Sequence, residues 1–418
     1  MPKSVRITID LLKVGHYVSS LDLSWLDTPF LTHRFHIRSM EDIHKLRNAG
    51  VLSLFIDPER STVDKLHEET SSQNQILVSP ENTSIDCQEV LPDRIIRSVG
   101  EIHRHMVVLF KKFFREARNN DVMIDMSPIK FAMDRVIEVS LNYPEALLLI
   151  SSLQEEDDEI YFHSVNTMFL AFYLAWKLDK SFDETVIWGL SGLLHDIGKV
   201  RIDPYVLHKP GALQPHEWEI IRNHPQWGAD IIRRQTSLPP IVSRVAMEHH
   251  CRMDDTGYPD HLLFESTEAL SKIISVLDIY DALTSDRSYR KGHPLPKALK
   301  ILVEMSQGKI DPYWVATFIH AVGVYPIGSI LEIDEGEVGV VVERTSPGEP
   351  DSIGDTFRLA ILRDKNKFPT RKAEFRSFSW NPSRKAPVSS SYNHAEWGVD
   401  WEIVSDVFQS LTRRKTSC

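Results

Sequence analysis

The residues able to do chemistry are concentrated between positions 159 and 290. In chain order they are Glu159 and His163, the block His195-Asp196-Ile197-Gly198-Lys199, His224-Pro225, the pair His249-His250, Gly257-Tyr258-Pro259 and Asp278. Imidazoles mixed with carboxylates suit iron, manganese or zinc, and the lack of clustered thiolates disfavours a structural zinc knot. Singly, each residue is ordinary, since a helical histidine is more often packed than ligating. The set carries the weight. Leu190, Leu193 and Leu194 mark the segment before His195 as a buried helix. An adjacent His and Asp buried there need partners to offset desolvation, and cations supply them.

The residue types fit phosphoryl chemistry. Asp196 could bridge two cations, with histidines filling the remaining positions around each. Two metals so held stabilise both the attacking and the leaving oxygen of an in-line displacement at phosphorus. Lys199, one helical turn after His195, is placed to offset charge on a phosphoryl oxygen. Glu159 precedes His163 by four residues, so on one continuous helix both share a face and could reach a common metal. It also closes an acidic run, Glu155-Glu156-Asp157-Asp158, that could instead be a solvated helix start.

The elements that must position these residues read as follows. Residues 1–72 form a small α/β module, with Ile7, Ile9 and Leu11 alternating and a capping box predicted at Ser39 and Asp42. The helix that follows should stop at Gly50, before a strand over Leu52 to Ile56. Residues 73–92, rich in Ser, Gln and Asn, read as a linker. Residues 93–323 carry helical periodicity, punctuated by Pro225, Pro239-Pro240 and Pro294. Residues 324–418 are β-rich, with a hairpin around Asp334-Glu335-Gly336-Glu337 and a short amphipathic stretch from Trp401 to Leu411.

Bulk properties narrow the classes. A chain of 418 residues is expected to hold two or three domains. A net charge of -11 argues against duplex nucleic acid as a partner, but not against a small anionic substrate, because metals supply positive charge locally. The longest apolar run, Met168 to Trp176, is about half of what a membrane-spanning helix needs. No membrane insertion is therefore expected. The start of the chain lacks the apolar core of a signal peptide. Cys87, Cys251 and Cys418, odd in number and far apart, point to a reducing cytoplasm rather than a disulfide framework.

Residues from about 145 to 323 resemble an HD-GYP domain, the bacterial family that hydrolyses cyclic di-GMP. The matching text is His163-Ser164, His195-Asp196-Ile197-Gly198-Lys199, His224-Pro225-x-x-Gly228, His249-His250, Thr256-Gly257-Tyr258-Pro259-Asp260 and the run from Asp278 to Arg287. Residues 3 to about 60 resemble a module often found ahead of such domains, most clearly at Trp25-Leu26-x-x-Pro29-Phe30. The resemblance implies a mainly α fold, an HD-type helical bundle with a small α/β N-terminal module and a β-rich C-terminal appendage. It implies a metal-dependent phosphodiesterase that cuts cyclic di-GMP to linear pGpG, GMP or both by metal-activated hydroxide. The implied cofactors are two or three divalent ions, iron or manganese.

Carried over residue by residue, the implied metal ligands are His163, His195, Asp196, His224, His249, His250 and Asp278. Glu159 is the implied ligand of a third ion, since members with another residue there hold two. Asp196 and Lys199 take the catalytic roles, and Lys199, Arg287, Arg290 and Tyr258 meet the substrate. From the residues alone, Arg287 and Arg290 could grip a phosphate, stack on guanine or simply cap the helix carrying Asp278. Three positions depart from the family text: Cys251 where Glu is usual, Met253 where an aromatic is common, and Asp255 where Gly is usual. They bear on the conformation of the Gly-Tyr-Pro loop. Two alternatives stay open: an HD phosphohydrolase of another cyclic dinucleotide or nucleotide phosphate, and a non-catalytic cyclic di-GMP receptor or scaffold. A diguanylate cyclase or other signalling protein, and a second copy of the chain, stand as candidate protein partners.

Overall fold

The computed structural model describes residues 5–9, 12–21, 35–37, 39–48, 53–57, 60–61, 93–118, 125–140, 143–152, 159–207, 209, 211–235, 237–286, 291–333, 336–345, 355–379 and 388–392. The chain divides into two compact units, Met1–Ile85 and Asp86–Cys418. In the first, β1 (Val5–Thr8), β2 (Tyr17–Leu21), β3 (Phe35–His36) and β4 (Ser53–Ile56) form an antiparallel sheet in the order β1-β4-β2-β3. One helix, α1 (Met40–Asn48), lies between β3 and β4 in the chain, and its Ile43 and Leu46 share a core with Val18, Leu54 and Ile56. The predicted capping box is present. Ser39 donates its N–H to the Asp42 carboxylate at 3.0 Å, and Asp42 donates its own N–H to the Ser39 hydroxyl at 3.3 Å. The expected stop at Gly50, the Trp25 to Phe30 stretch, the 73–92 linker and the Trp401 to Leu411 stretch lie outside the described residues.

The second unit opens with α2 (Asp93–Ala117), α3 (Ser127–Ser140) and α4 (Glu145–Ser152), which lead to α5 (Glu159–Lys177). Every residue of α5 from His163 to Ala175 is buried. A helix covered on all sides must be central, and the others are arranged around it. Beside it runs α6 (Phe182–Leu194), started by a capping box between Ser181 and Glu184. Leu190, Leu193 and Leu194 are buried as predicted.

The sequence places Lys199 one helical turn after His195, but α6 ends at Leu194. The chain turns through His195 and Asp196 into a 3-10 turn, Ile197–Arg201, which carries Lys199. Gly198 lets this turn approach a later helix closely. A Cβ there would lie 1.9 Å from the His224 carbonyl oxygen and 2.5 Å from the Gly228 nitrogen, both backbone atoms of a later helix. Only a residue without a side chain lets these two segments meet, and their meeting brings Asp196 against His224.

The bundle continues through α7 (Pro204–Leu207), α8 (Pro215–Arg222), α9 (His224–Arg234), α10 (Pro240–Glu248), α11 (Ala269–Thr284), α12 (Leu295–Met305) and α13 (Pro312–Val322). The chain ends its described part in an antiparallel sheet. Its strands are β5 (Ile330–Ile333), β6 (Val338–Thr345), β7 (Thr356–Arg363), β8 (Pro369–Ser379) and β9 (Val388–Tyr392), in the order β8-β7-β6-β5-β9. The predicted hairpin is the β5–β6 pair. Val340, Val342, Phe357 and Leu359 of this sheet belong to the same hydrophobic core as the helices. The fold is therefore mainly α, with a small α/β N-terminal module and a β-rich C-terminal appendage. Among the described residues no helix is long and apolar enough to cross a membrane.

Substituting Gly198 by Ala must push the 3-10 turn off α9. We expect a loss of about 1–3 kcal/mol of stability, read as a lower midpoint in thermal unfolding, together with reduced metal content. An unchanged midpoint would mean that the close approach is dispensable.

Candidate metal centre

The site is assembled from five places in the chain. Helix α5 contributes His163, the end of α6 contributes His195 and Asp196, α9 opens with His224, the end of α10 leads into His249-His250, and α11 carries Asp278. The ligand atoms of Asp196, His224, His249 and His250 all lie within 4.8 Å of one another, and those of His163, His195 and Asp196 form a second such group. Asp278 joins the second group, with Oδ1 3.1 Å from His163 Nε2 and 3.9 Å from His195 Nε2. Asp196 belongs to both. Its Oδ1 faces His224 Nε2 at 3.1 Å and His249 Nε2 at 3.7 Å, while Oδ2 faces His195 Nε2 at 3.4 Å and His163 Nε2 at 3.6 Å. One carboxylate thus presents one oxygen to each group.

Orientation of the imidazoles is fixed from behind. His195 Nδ1 donates to the Gly192 carbonyl at 2.7 Å, His224 Nδ1 to Ile221 at 2.8 Å, and His249 Nδ1 to Ala246 at 3.0 Å. A carbonyl can only accept, so each Nδ1 carries the proton and each Nε2 lone pair is left to point into the site. His163 Nδ1 instead bonds the Asp281 carboxylate at 2.7 Å. This backing of ligand histidines by carbonyls and carboxylates is the usual support of a metal site.

Burial makes the arrangement demanding. His195, His224 and His249 are fully buried, and Asp196 is 2% exposed. His195 Nε2 and Asp196 Oδ1 lack a hydrogen-bond partner although both are buried. Such orphaned polar atoms, in a nest of nitrogen and oxygen donors, fit a cation. The protonation preferences agree. Burial works against charge on Asp196 and Asp278, but Lys199 with His195 and His224 holds Asp196, and His163, His195 and His250 hold Asp278, well below the ordinary carboxylate range. Burial lowers His249 to about 4 and pushes His250 well below its usual value, keeping both neutral. At His163 burial also opposes charge, yet Asp278 and Asp281 raise it to about 9, which favours positive charge at this place.

The remaining predicted residues fall as follows. Lys199 places its ammonium on Asp196 Oδ2 from the 3-10 turn. The ring of Tyr258 lies 4.5 Å from that of His250, at the edge of the group. Glu159 is the first residue of α5 and is exposed, and its carboxylate is in neither ligand group. Arg287 and Arg290 lie outside the described residues.

The departures in the loop have a structural answer. Tyr258 N–H donates to the His250 carbonyl at 3.2 Å, closing the loop back on the paired histidines. A Cβ at Gly257 would lie 2.4 Å from that carbonyl oxygen, which explains the glycine. Asp255 has φ +56°, the left-handed region where Gly is favoured and Asp is tolerated. Met253 is exposed, and Cys251 is buried with its thiol pushed up to about 11 by burial. The loop therefore keeps a glycine-like backbone without the glycine, and the cysteine is an unreactive filler.

Two supporting residues escaped sequence reasoning. Asp281 stands three residues after Asp278 on the same helical face, which was the available signal. Arg252 donates to the carbonyls of His249 at 3.0 Å and Cys251 at 2.9 Å and to the Ser275 hydroxyl at 2.9 Å, tying the loop to α11. Nothing in its sequence context announces this.

Comparison with known proteins fits the geometry. The family model described as HD domain matches residues 150–313, and that of a domain of unknown function (DUF3391) matches residues 4–128. The chain is 34% identical over 340 residues to a cyclic di-GMP phosphodiesterase of Pseudomonas aeruginosa, covering 81% of each chain. It is 34% identical over 199 residues to a cyclic di-GMP phosphodiesterase of Vibrio cholerae, covering 44% of this chain and 40% of that one. To a 3'3'-cGAMP-specific phosphodiesterase of Vibrio cholerae it is 35% identical over 136 residues, covering 32% and 29%.

Replacing Asp281 by Asn removes the negative partner of His163 Nδ1 while keeping its size. We expect metal affinity to fall about 10–100-fold, measured by competition with a chelator, with the fold retained by circular dichroism. Unaltered affinity would reduce Asp281 to a core filler.

Proposed function

Because the chain belongs to the HD-GYP family of phosphodiesterases, we propose that it hydrolyses cyclic di-GMP to linear pGpG, GMP or both, with two or three divalent ions, iron or manganese, as cofactors. The observation that supports this most is Asp196, whose two oxygens face two separate groups of histidines. His163, His195 and Asp278 on one side and His224, His249 and His250 on the other would share Asp196 between two ions. When bound, such ions act as Lewis acids on phosphoryl oxygens and stabilise the entering and leaving oxygens of an in-line displacement.

The chain's own groups do the rest. Nδ1 contacts to backbone carbonyls and to Asp281 hold the imidazole rings in place, so no reorganisation is needed when substrate arrives. Lys199 is tethered to Asp196 and keeps a positive charge beside the position of the reacting phosphate. Tyr258, half-buried beside His250, is proposed to meet the substrate at its exposed edge. Arg287 and Arg290 are proposed to hold phosphate oxygens or stack on guanine. A second substrate, 3'3'-cGAMP, is favoured by one observation: a relative specific for it matches part of this chain at 35% identity.

His195→Ala and Asp196→Ala are each expected to lose hydrolysis of cyclic di-GMP and to carry less metal after anaerobic purification. Full activity and metal in either variant would contradict the assignment. Glu159 is proposed as a ligand of a third ion. Metal analysis of the wild type and Glu159→Gln, with iron or manganese supplied during expression, should show a drop of one ion per chain. Two ions in both proteins would leave Glu159 as surface charge.

A further inference from the structure

Arg222 closes α8, two residues before His224, and its side chain is exposed. Its guanidinium carbon lies 5.6 Å from the centroid of the Tyr258 ring, within cation–π range. The Tyr258 ring in turn stands 4.5 Å from His250, tilted by 37°, and 6.1 Å from His224, edge-on at 81°. Arg222, Tyr258 and His250 thus form a continuous stack that runs from the metal ligands to the surface.

Other arginines among the described residues are engaged. Arg233 pairs with Asp230, Arg244 with Glu248 and Glu268, and Arg252 with loop carbonyls and Ser275. Lys199 is committed to Asp196. Among the described residues Arg222 makes no hydrogen bond or ion pair, and the tyrosine ring is its partner. A last-turn arginine would be favourable to the helix dipole anywhere on the end of α8. That alone does not place it over the ring at the mouth of the site. Over the Tyr258 ring, the guanidinium has N–H groups to offer phosphate oxygens and a planar surface to offer a purine.

We propose that Arg222 is a substrate-contact residue, which holds the half of the cyclic dinucleotide remote from the phosphate being cut. One aromatic ring separates it from His250, which sets it apart from a phosphate lying against the histidines. It can reach the second phosphate or the base beside it. This rests on the reading of the protein as a cyclic-dinucleotide phosphodiesterase.

The test compares wild type, Arg222→Ala and Arg222→Lys on cyclic di-GMP, on 3'3'-cGAMP and on bis(p-nitrophenyl) phosphate, which has neither a second phosphodiester nor a purine. Metal content and thermal midpoint are measured on the same preparations. For Arg222→Ala we expect KM for the cyclic dinucleotide to rise about tenfold with kcat within about twofold, and a change of less than about twofold on the small diester. Recovery by Lys identifies the second phosphate as the contact, and failure of Lys to recover identifies the base. An unchanged KM, or equal losses on all substrates with lowered metal content, overturns the inference. Wild-type enzyme that cuts the small diester but neither dinucleotide overturns the underlying reading, and Arg222 falls with it.

Discussion

A carboxylate buried to the extent of Asp196, with imidazole nitrogens facing both of its oxygens, is expensive to desolvate unless positive charge lies beside it. Lys199 supplies one charge, and Asp278 and Asp281 favour another on His163. Neither satisfies Asp196 Oδ1 or His195 Nε2, which stay orphaned. Divalent cations would satisfy all of these atoms together. The rest of the bundle can be understood as the set of contacts that keeps these donors converged on one point.

Those contacts are mostly backbone. Gly198 lets the 3-10 turn press on α9, so Asp196 and His224 meet. Gly257 and Arg252 fold the Gly-Tyr-Pro loop onto the carbonyls of the paired histidines. Glu248, immediately before His249, accepts from the Glu268 N–H at 2.9 Å and the Ser271 hydroxyl at 2.7 Å, which binds the end of α10 to the start of α11. Helix α5, covered along its length, fixes the height of His163 in the bundle. Rigid elements rather than loops thus carry most of the donors, which favours a preorganised site.

Much of this was legible in the sequence. The His-Asp pair is weak by itself, but together with the other histidines and Asp278 it points to a metal site, and the structure gathers His163, His195, Asp196, His224, His249, His250 and Asp278 at one place. The capping box at Ser39 and the β5–β6 hairpin follow from local chemistry and appear where expected. What was hidden depends on tertiary approach. The turn after Leu194 packs on the backbone of α9 through Gly198, an approach that no local signal reveals. Asp281 looks like any acid on a helix until α5 is laid beside α11. Asp255, where Gly is usual, leaves the loop's conformation open in the sequence, and the backbone there holds the left-handed conformation all the same. Glu159 allowed two readings from its spacing and its acidic neighbours, and its exposed position keeps it apart from the two ligand groups.

The central claim is that Asp196 is shared by cations held through histidine nitrogens and carboxylate oxygens. X-ray absorption at the metal edge, on protein purified anaerobically with iron or manganese supplied, addresses it most directly. The account predicts a tightly bound ion with nitrogen and oxygen donors alone, several of them imidazole, and loss of that signal in Asp196→Ala. A sulfur donor from Cys251, or the same spectrum with Asp196 removed, would contradict it.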